Sequence, residues 1–324
     1  MERFTQSQLE SASQLVHEQM PATPQYCWPQ LCEALGIEVW LKHENHTPTG
    51  AFKVRGGITY MQWLRQAHPA VKGIITATRG NHGQSQARAA ALAGVSAKIL
   101  VPIGNSHEKN TAMRTFGAEL VEFGRDFDEA KAEAVRLAAT ESRLMVPAFH
   151  EQLVMGVASY ALELFAAVKD LDQVYVPVGC GSGICGLIAA RDALGLSTEI
   201  VGVVSTEADA AKQSFEAGRM IETKSAVTFA DGMAVRAPIP EAFEIYAAGA
   251  SQIVAVSDDE VAAAMRTLFA STHNVAEGAG AAAFAAISKN RHQLKGKKVA
   301  AILTGANVDS EVFAQVLSGS TPKV

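Results

Sequence analysis

Thr47-Pro-Thr-Gly50-Ala-Phe-Lys53-Val-Arg55-Gly-Gly57 is the stretch on which the reading of this chain turns. Gly50 closes an approach loop, and Gly56-Gly57 lets another backbone or a flat ligand come close. Between them stands one lysine. Flanked by Phe52 and Val54, with Arg55 two residues on, the Lys53 amine is expected to be partly desolvated and near another cation. Both effects lower a lysine pKa toward the nucleophilic range, which is how a Schiff-base lysine is made. The same local pattern also suits a surface lysine at a helix start.

Outward from this stretch, apolar runs alternate with helical periodicity. Residues 37–44 read as a strand and 53–67 as a helix that His68-Pro69 breaks. Strands are then expected at 73–77, 97–101 and 119–123, with helices at 81–93, 108–116 and 126–140 between and after them. After Pro147 the rhythm resumes with helix 153–167, strand 174–178, helix 183–194 and strand 199–204. Strands at 252–256 and 298–303 and helices at 258–270, 277–289 and 309–317 complete it, and a helix over 6–19 ends at Pro21 and Pro24. This is the rhythm of an α/β chain with parallel sheets wrapped in helices.

The 324 residues, 48% hydrophobic, can bury a large core divided between two domains. Net charge is −5 with acids and bases interspersed and no lysine or arginine run, so nucleic acid is not an expected partner. Apolar runs are strand-sized, far below the roughly 20 residues of a membrane helix, and the first residues lack an apolar signal core. The expectation is a cytoplasmic protein with no membrane contact. Cys27, Cys32, Cys180 and Cys185 have no zinc-type spacing.

Two strand-to-helix junctions carry further chemistry. In Gly179-Cys180-Gly181-Ser182-Gly183, three glycines let successive N–H groups face one concavity at a helix start, which suits a phosphate. A plain tight connection is the bland alternative. No strand-ending acid follows to bind a ribose, so a dinucleotide is not the preferred ligand. In Thr78-Arg79-Gly80-Asn81-His82, the N–H groups can hold a carboxylate and Asn81 can donate to a ring oxygen, or simply cap the helix.

The lysine stretch resembles the Pro-Thr-Gly-Ser-Phe-Lys-x-Arg-Gly motif of the fold-type II pyridoxal-phosphate enzymes, most closely the serine/threonine dehydratases, with Ala51 replacing the usual Ser. Four more segments match in the family's order: Arg79-Gly80-Asn81-His82-Gly83-Gln84, Gly179 to Gly183, Ala230-Asp231-Gly232, and Leu303-Thr304-Gly305-Ala306-Asn307. They span residues 47–309. The resemblance implies a tryptophan-synthase-β-like fold with two domains, a large one of 1–73 and 148–324 and a small inserted one of 74–147, with pyridoxal 5'-phosphate in the cleft. It implies that Lys53 is the catalytic, cofactor-bearing residue, with Phe52, Asn81, the loop from Gly179 to Gly183, Gly232, Glu277 and Thr304 around the cofactor. Thr304 stands where the family has a Ser meeting the pyridine nitrogen. A hydroxyl there supports less of an electron sink than a carboxylate, favouring elimination over transamination.

For the amino-acid substrate the resemblance implies Thr78, Arg79, Gly80, Asn81 and His82, with Phe149 and His150 shaping the pocket, while His150 equally suits a capping or surface residue. Asp231 reads as a turn or cap. Arg79 departs from the family's Ser or Ala, which in serine-racemase-like members is an acid/base. An arginine is a poor proton acceptor, so racemase activity is not expected, while its fork can pair with a carboxylate. Val204 and Ala210 replace the Glu and Asp that hold a divalent cation in some relatives, so no metal is expected. The expected activity is dehydration and deamination of a 3-hydroxy amino acid, by default L-threonine or L-serine. 3-Hydroxyaspartate, 3-phenylserine, a racemase or a β-replacement synthase are the alternatives. A homodimer or larger oligomer is expected, and without motifs beyond Asn307, no appended isoleucine-regulated region.

Overall fold

The computed structural model describes residues 4–323 and contains two sheets. The larger runs in the order β1 (Gln25–Cys27), β2 (Glu38–His43), β10 (Lys298–Leu303), β7 (Gln173–Pro177), β8 (Glu199–Ser205), β9 (Gln252–Val256). The smaller runs β5 (Glu119–Glu122), β4 (Ser96–Val101), β3 (Gly73–Ala77), β6 (Leu144–Met145). Every pairing is parallel except that of the edge strand β1 with β2. The central strands are apolar along their length because helices cover both faces. All of β3 is buried, as are residues 299–303 of β10.

The helix Lys53–Ala67 lies where the two sheets meet. Tyr60, Met61 and Leu64 enter the core of the smaller sheet, while Val54 and Ile58 pack against Val16 of the helix Gln6–His17 and Met20 just beyond it. Gly56 and Gly57 serve this packing. A Cβ on Gly56 would stand 2.8 Å from the Leu153 carbonyl oxygen, and one on Gly57 would stand 2.3 Å from Ser85 Oγ. Neighbouring protein, not a flat ligand, makes the close approach.

Arg55 faces away from the lysine into a buried ion-pair network. Its guanidinium donates to Glu44 at 2.7 Å, Glu163 at 2.6 Å and Ser159 at 2.8 Å. Lys42 Nζ donates to Glu163 at 2.5 Å and to the Thr23 carbonyl at 2.7 Å. Two cations and two carboxylates balance, the condition under which charge can stay buried. The short elements escaped sequence reading: β1, β6, and the helices Pro29–Leu35, Ala210–Ala217 and Pro240–Gly249. In two of these helices a proline occupies the first turn, where its missing N–H costs nothing, and in sequence it reads only as a breaker.

Candidate active site

Four loops of the cleft leave the C-terminal ends of parallel strands, where ligands of open α/β sheets collect. They follow β2, β3, β7 and β10. The β2 loop is clamped to the end of β10. Phe52 N donates to the Thr304 carbonyl at 3.0 Å, Ala306 N donates to the Gly50 carbonyl at 2.9 Å, and Thr47 Oγ1 accepts from Ala51 N at 2.9 Å. Lys53 therefore emerges at a fixed point, its Nζ 4.9 Å from the centre of the Phe52 ring. Burial pushes its ammonium below the usual lysine range, while Cys180 and Glu277 pull the other way. Arg55, expected to contribute, does not, because Glu44 and Glu163 hold it.

The cleft around Lys53 is lined by Thr78, Arg79, Gly80, Asn81, His82, Cys180 and Gly232, and also by Lys109, Phe127, Ala148 and Asp231. Thr78 Oγ1 accepts from Gly80 N at 2.9 Å and Gly83 N at 3.3 Å, so the threonine caps the helix Asn81–Leu92 and Asn81 does not. The Asn81 amide instead bridges the walls. Its Oδ1 accepts from Asn307 Nδ2 at 2.8 Å, and its Nδ2 donates to Glu277 Oε1 at 2.6 Å. One Nδ2 hydrogen is left for a ligand. Burial and the Lys53 charge hold His82 down to about 3, a neutral ring whose buried Nε2 has no hydrogen-bond partner among the described residues.

Glu277 begins the helix Gly278–Asn290 but makes no cap bond. It is buried against Asn81 and lies 3.3 Å from Lys109 Nζ. Burial raises its carboxyl above the usual range, against the pull of Lys109. Lys109 Nζ also reaches Asp231 at 2.6 Å, so Asp231 is an ion-pair partner and not merely a turn residue. Lys109 comes from the helix His107–Thr115 of the smaller sheet, and nothing adjacent to it in sequence flagged it.

The loop after β7 runs into the helix Ser182–Ala193, whose first N–H groups have no intrahelical acceptor. Gly181 has φ +99°, and a Cβ on Gly179 would stand 2.2 Å from the Gly232 carbonyl oxygen. Tyr160 sits behind, donating to the Gly183 carbonyl at 2.8 Å with its ring edge-on to Phe52. Thr304 is buried at the end of β10. Phe149 lines the outer part of the cleft. His150 does not join it. Its Nδ1 caps the helix Glu151–Ala167 by accepting from Gln152 N at 3.1 Å, and its ring packs on Trp63 and Tyr60, which corrects its expected place in the pocket.

Residues 18–305 match the family described as pyridoxal-phosphate dependent enzyme, and the chain belongs to that family. Its architecture is the fold-type II one. It is 36% identical over 88% of its length to L-threonine ammonia-lyase of Geobacter sulfurreducens, spanning 71% of that protein. It is 34% identical over 93% of its length to L-threonine dehydratase biosynthetic IlvA of Haemophilus influenzae, of which it spans 59%. The crystal structure of a T.th. threonine deaminase superposes with a TM-score of 0.88 at 30% identity, over 94% of this chain and 99% of the other. The site fits the cofactor. A bare glycine turn at a helix N-terminus lines the same cleft as a lysine with a depressed ammonium, the Asn81 amide with one spare hydrogen, and His82, whose Nε2 has no partner among the described residues.

Proposed function

We propose that this chain is an ammonia-lyase that converts a 3-hydroxy amino acid, L-threonine or L-serine by default, to a 2-oxo acid and ammonia. The observation that carries the reading is the Lys53 amine, desolvated at the mouth of two helix N-termini that rise from different sheets. Lys53 would hold pyridoxal phosphate through Nζ, with the phosphate on the N–H groups from Gly179 to Gly183, the ring oxygen at Asn81 and the ring nitrogen at Thr304. When bound, the cofactor supplies an electron-accepting ring to the substrate's α-carbon. The N–H groups from Thr78 to His82 orient the α-carboxylate. Lys53 Nζ, whose charged form burial disfavours, would take the α-proton. The neutral His82 ring adds no positive charge beside it. Loss of the β-hydroxyl and hydrolysis then release a 2-oxo acid and ammonia, with no net redox change.

The test is a turnover screen of the cofactor-loaded protein. Ammonia and 2-oxo acid should appear in equal amounts from L-threonine or L-serine, and Lys53→Ala should lose both turnover and the visible absorption of the bound cofactor. Full activity in Lys53→Ala would overturn the reading. We extend the proposal to a large domain of 1–73 and 148–324, a small one of 74–147, and a homo-oligomer in solution, which sedimentation would reveal.

A further inference from the structure

Among the described residues Arg79 is the one guanidinium that lines the cleft around Lys53, and it makes no ion pair or hydrogen bond there. The other charges of the inner cleft are committed. Lys109 is held by Asp231 and Glu277, and the Lys53 ammonium is pushed down by burial. Half-buried Arg79 also lines the outer cleft of about 830 Å³ that opens past Phe127, Phe149 and Val235, so its side chain spans the junction of the two spaces. A half-buried guanidinium without a protein partner at the edge of a cleft is available to an anion, because its fork of five donors can exchange water for a bidentate acceptor.

Two anions of the proposed reaction already have their places. A phosphate is met by the N–H groups of the loop Gly179–Gly183, and an α-carboxylate by the first N–H groups of the helix Asn81–Leu92. Neither needs the Arg79 fork. The outer wall does not favour an anion by its field, since besides Arg79 it carries Lys131, Lys224 and Arg236 against Asp126, Asp128, Glu222 and Glu241. Recognition therefore rests on Arg79.

We propose that Arg79 selects a substrate bearing a second carboxylate on its β-carbon, a 3-hydroxy amino dicarboxylic acid of which 3-hydroxyaspartate is the smallest. This rests on the lyase reading above and names its substrate class. The α-C–H and β-C–O bonds break and water leaves. Water then re-enters to release ammonia, so the net products are a four-carbon 2-oxo dicarboxylic acid and ammonia, with no oxidant or reductant.

The experiment has two readouts. In the first, calorimetry of the cofactor-loaded protein compares L-aspartate, which lacks the leaving hydroxyl, with L-alanine. Wild type should bind aspartate at least about tenfold more tightly, the discrimination should collapse in Arg79→Ser, and Arg79→Lys should restore part of it. Equal binding of the two amino acids, or discrimination that survives Arg79→Ser, overturns the proposal whether or not the protein proves to be a lyase. In the second, the kcat/KM ratio of 3-hydroxyaspartate to L-threonine should favour the dicarboxylate and fall at least about tenfold in Arg79→Ser. An unchanged ratio, with equal loss on both substrates, would assign Arg79 to the α-carboxylate. Selective aspartate binding with no ammonia from any hydroxy amino acid would retain the second-carboxylate site and sink the lyase reading instead.

Discussion

His43 is a buried imidazole whose tautomer is fixed from both sides. Nε2 accepts from Trp28 Nε1 at 3.0 Å, and Nδ1–H faces Asn45 Oδ1 at 3.3 Å. Burial and the neighbouring His46 lower its pKa from 6.5 to about 4. The unfolded chain therefore takes up this proton first, and stability falls as pH drops from about 6.5 to about 4, by about 1.4 kcal/mol per pH unit for this one group. Unfolding followed by tryptophan fluorescence at several pH values should show a slope about one proton steeper in wild type than in His43→Asn. Identical slopes would show that His43 is not the responsible group. Gly179 is a residue of a different kind, one defined by what it lacks. Gly179→Ala would press a methyl group onto the Gly232 carbonyl, and a packing strain of about 1–3 kcal/mol should weaken cofactor binding about 5- to 150-fold in an absorbance titration. Undiminished affinity would mean that the loop relaxes freely. Both glycine loops and Lys53 were legible in the sequence because each lies in a contiguous motif whose spacing encodes a turn.

At the level of elements, the helix Lys53–Ala67 is held by contacts that no local window contains. Arg55 and Glu163 are 108 residues apart, so Arg55 read as a neighbour of Lys53 although it belongs to the ion pairs on the other side of the helix. Replacing it with Met would strand Glu44 and Glu163 without their main counter-charge. Breaking a buried pair from one side costs about 3–5 kcal/mol, and denaturant unfolding of Arg55→Met should show a loss of that size. A loss under about 1 kcal/mol would mean that Lys42 and solvent compensate. The long helices and central strands were legible from periodicity to within a few residues. The three-residue β1 and two-residue β6 were not, because they are shorter than one period of a burial pattern and are defined by their sheet partners.

Across the whole molecule, the halves of the cleft are joined by polar contacts. Lys109 meets Asp231 and Glu277, Ser106 Oγ donates to Asp309 at 2.5 Å, Ser310 N donates to Glu108 at 2.7 Å, and Arg236 pairs with Asp128. Lys109 is also the cation that restrains the raised pKa of Glu277. Lys109→Met should therefore move the protonation of Glu277 to higher pH. A pH titration of the bound cofactor's visible band would register this as a transition displaced upward from wild type. Amide exchange over the helix His107–Thr115 should quicken at the same time, and an unmoved titration would show that Glu277 is set by burial alone. None of this was legible, since Lys109 lies 122 residues from Asp231 and stands in no recognisable motif. The resemblance pointed to residues that line the cleft, whereas the contacts that close it depend on pairings that only the folded chain makes.

The groups assigned to hold the phosphate and the ring nitrogen rise from the larger sheet, whereas Thr78, Arg79 and Phe127 belong to segments packed on the smaller one. For protein engineering this division is an advantage. A library confined to positions 79 and 127 would vary the wall proposed to meet the substrate's side chain while sparing the loops proposed to anchor the prosthetic group. Screening such variants by colour first and turnover second would separate clones that have lost the cofactor from those that have changed their appetite.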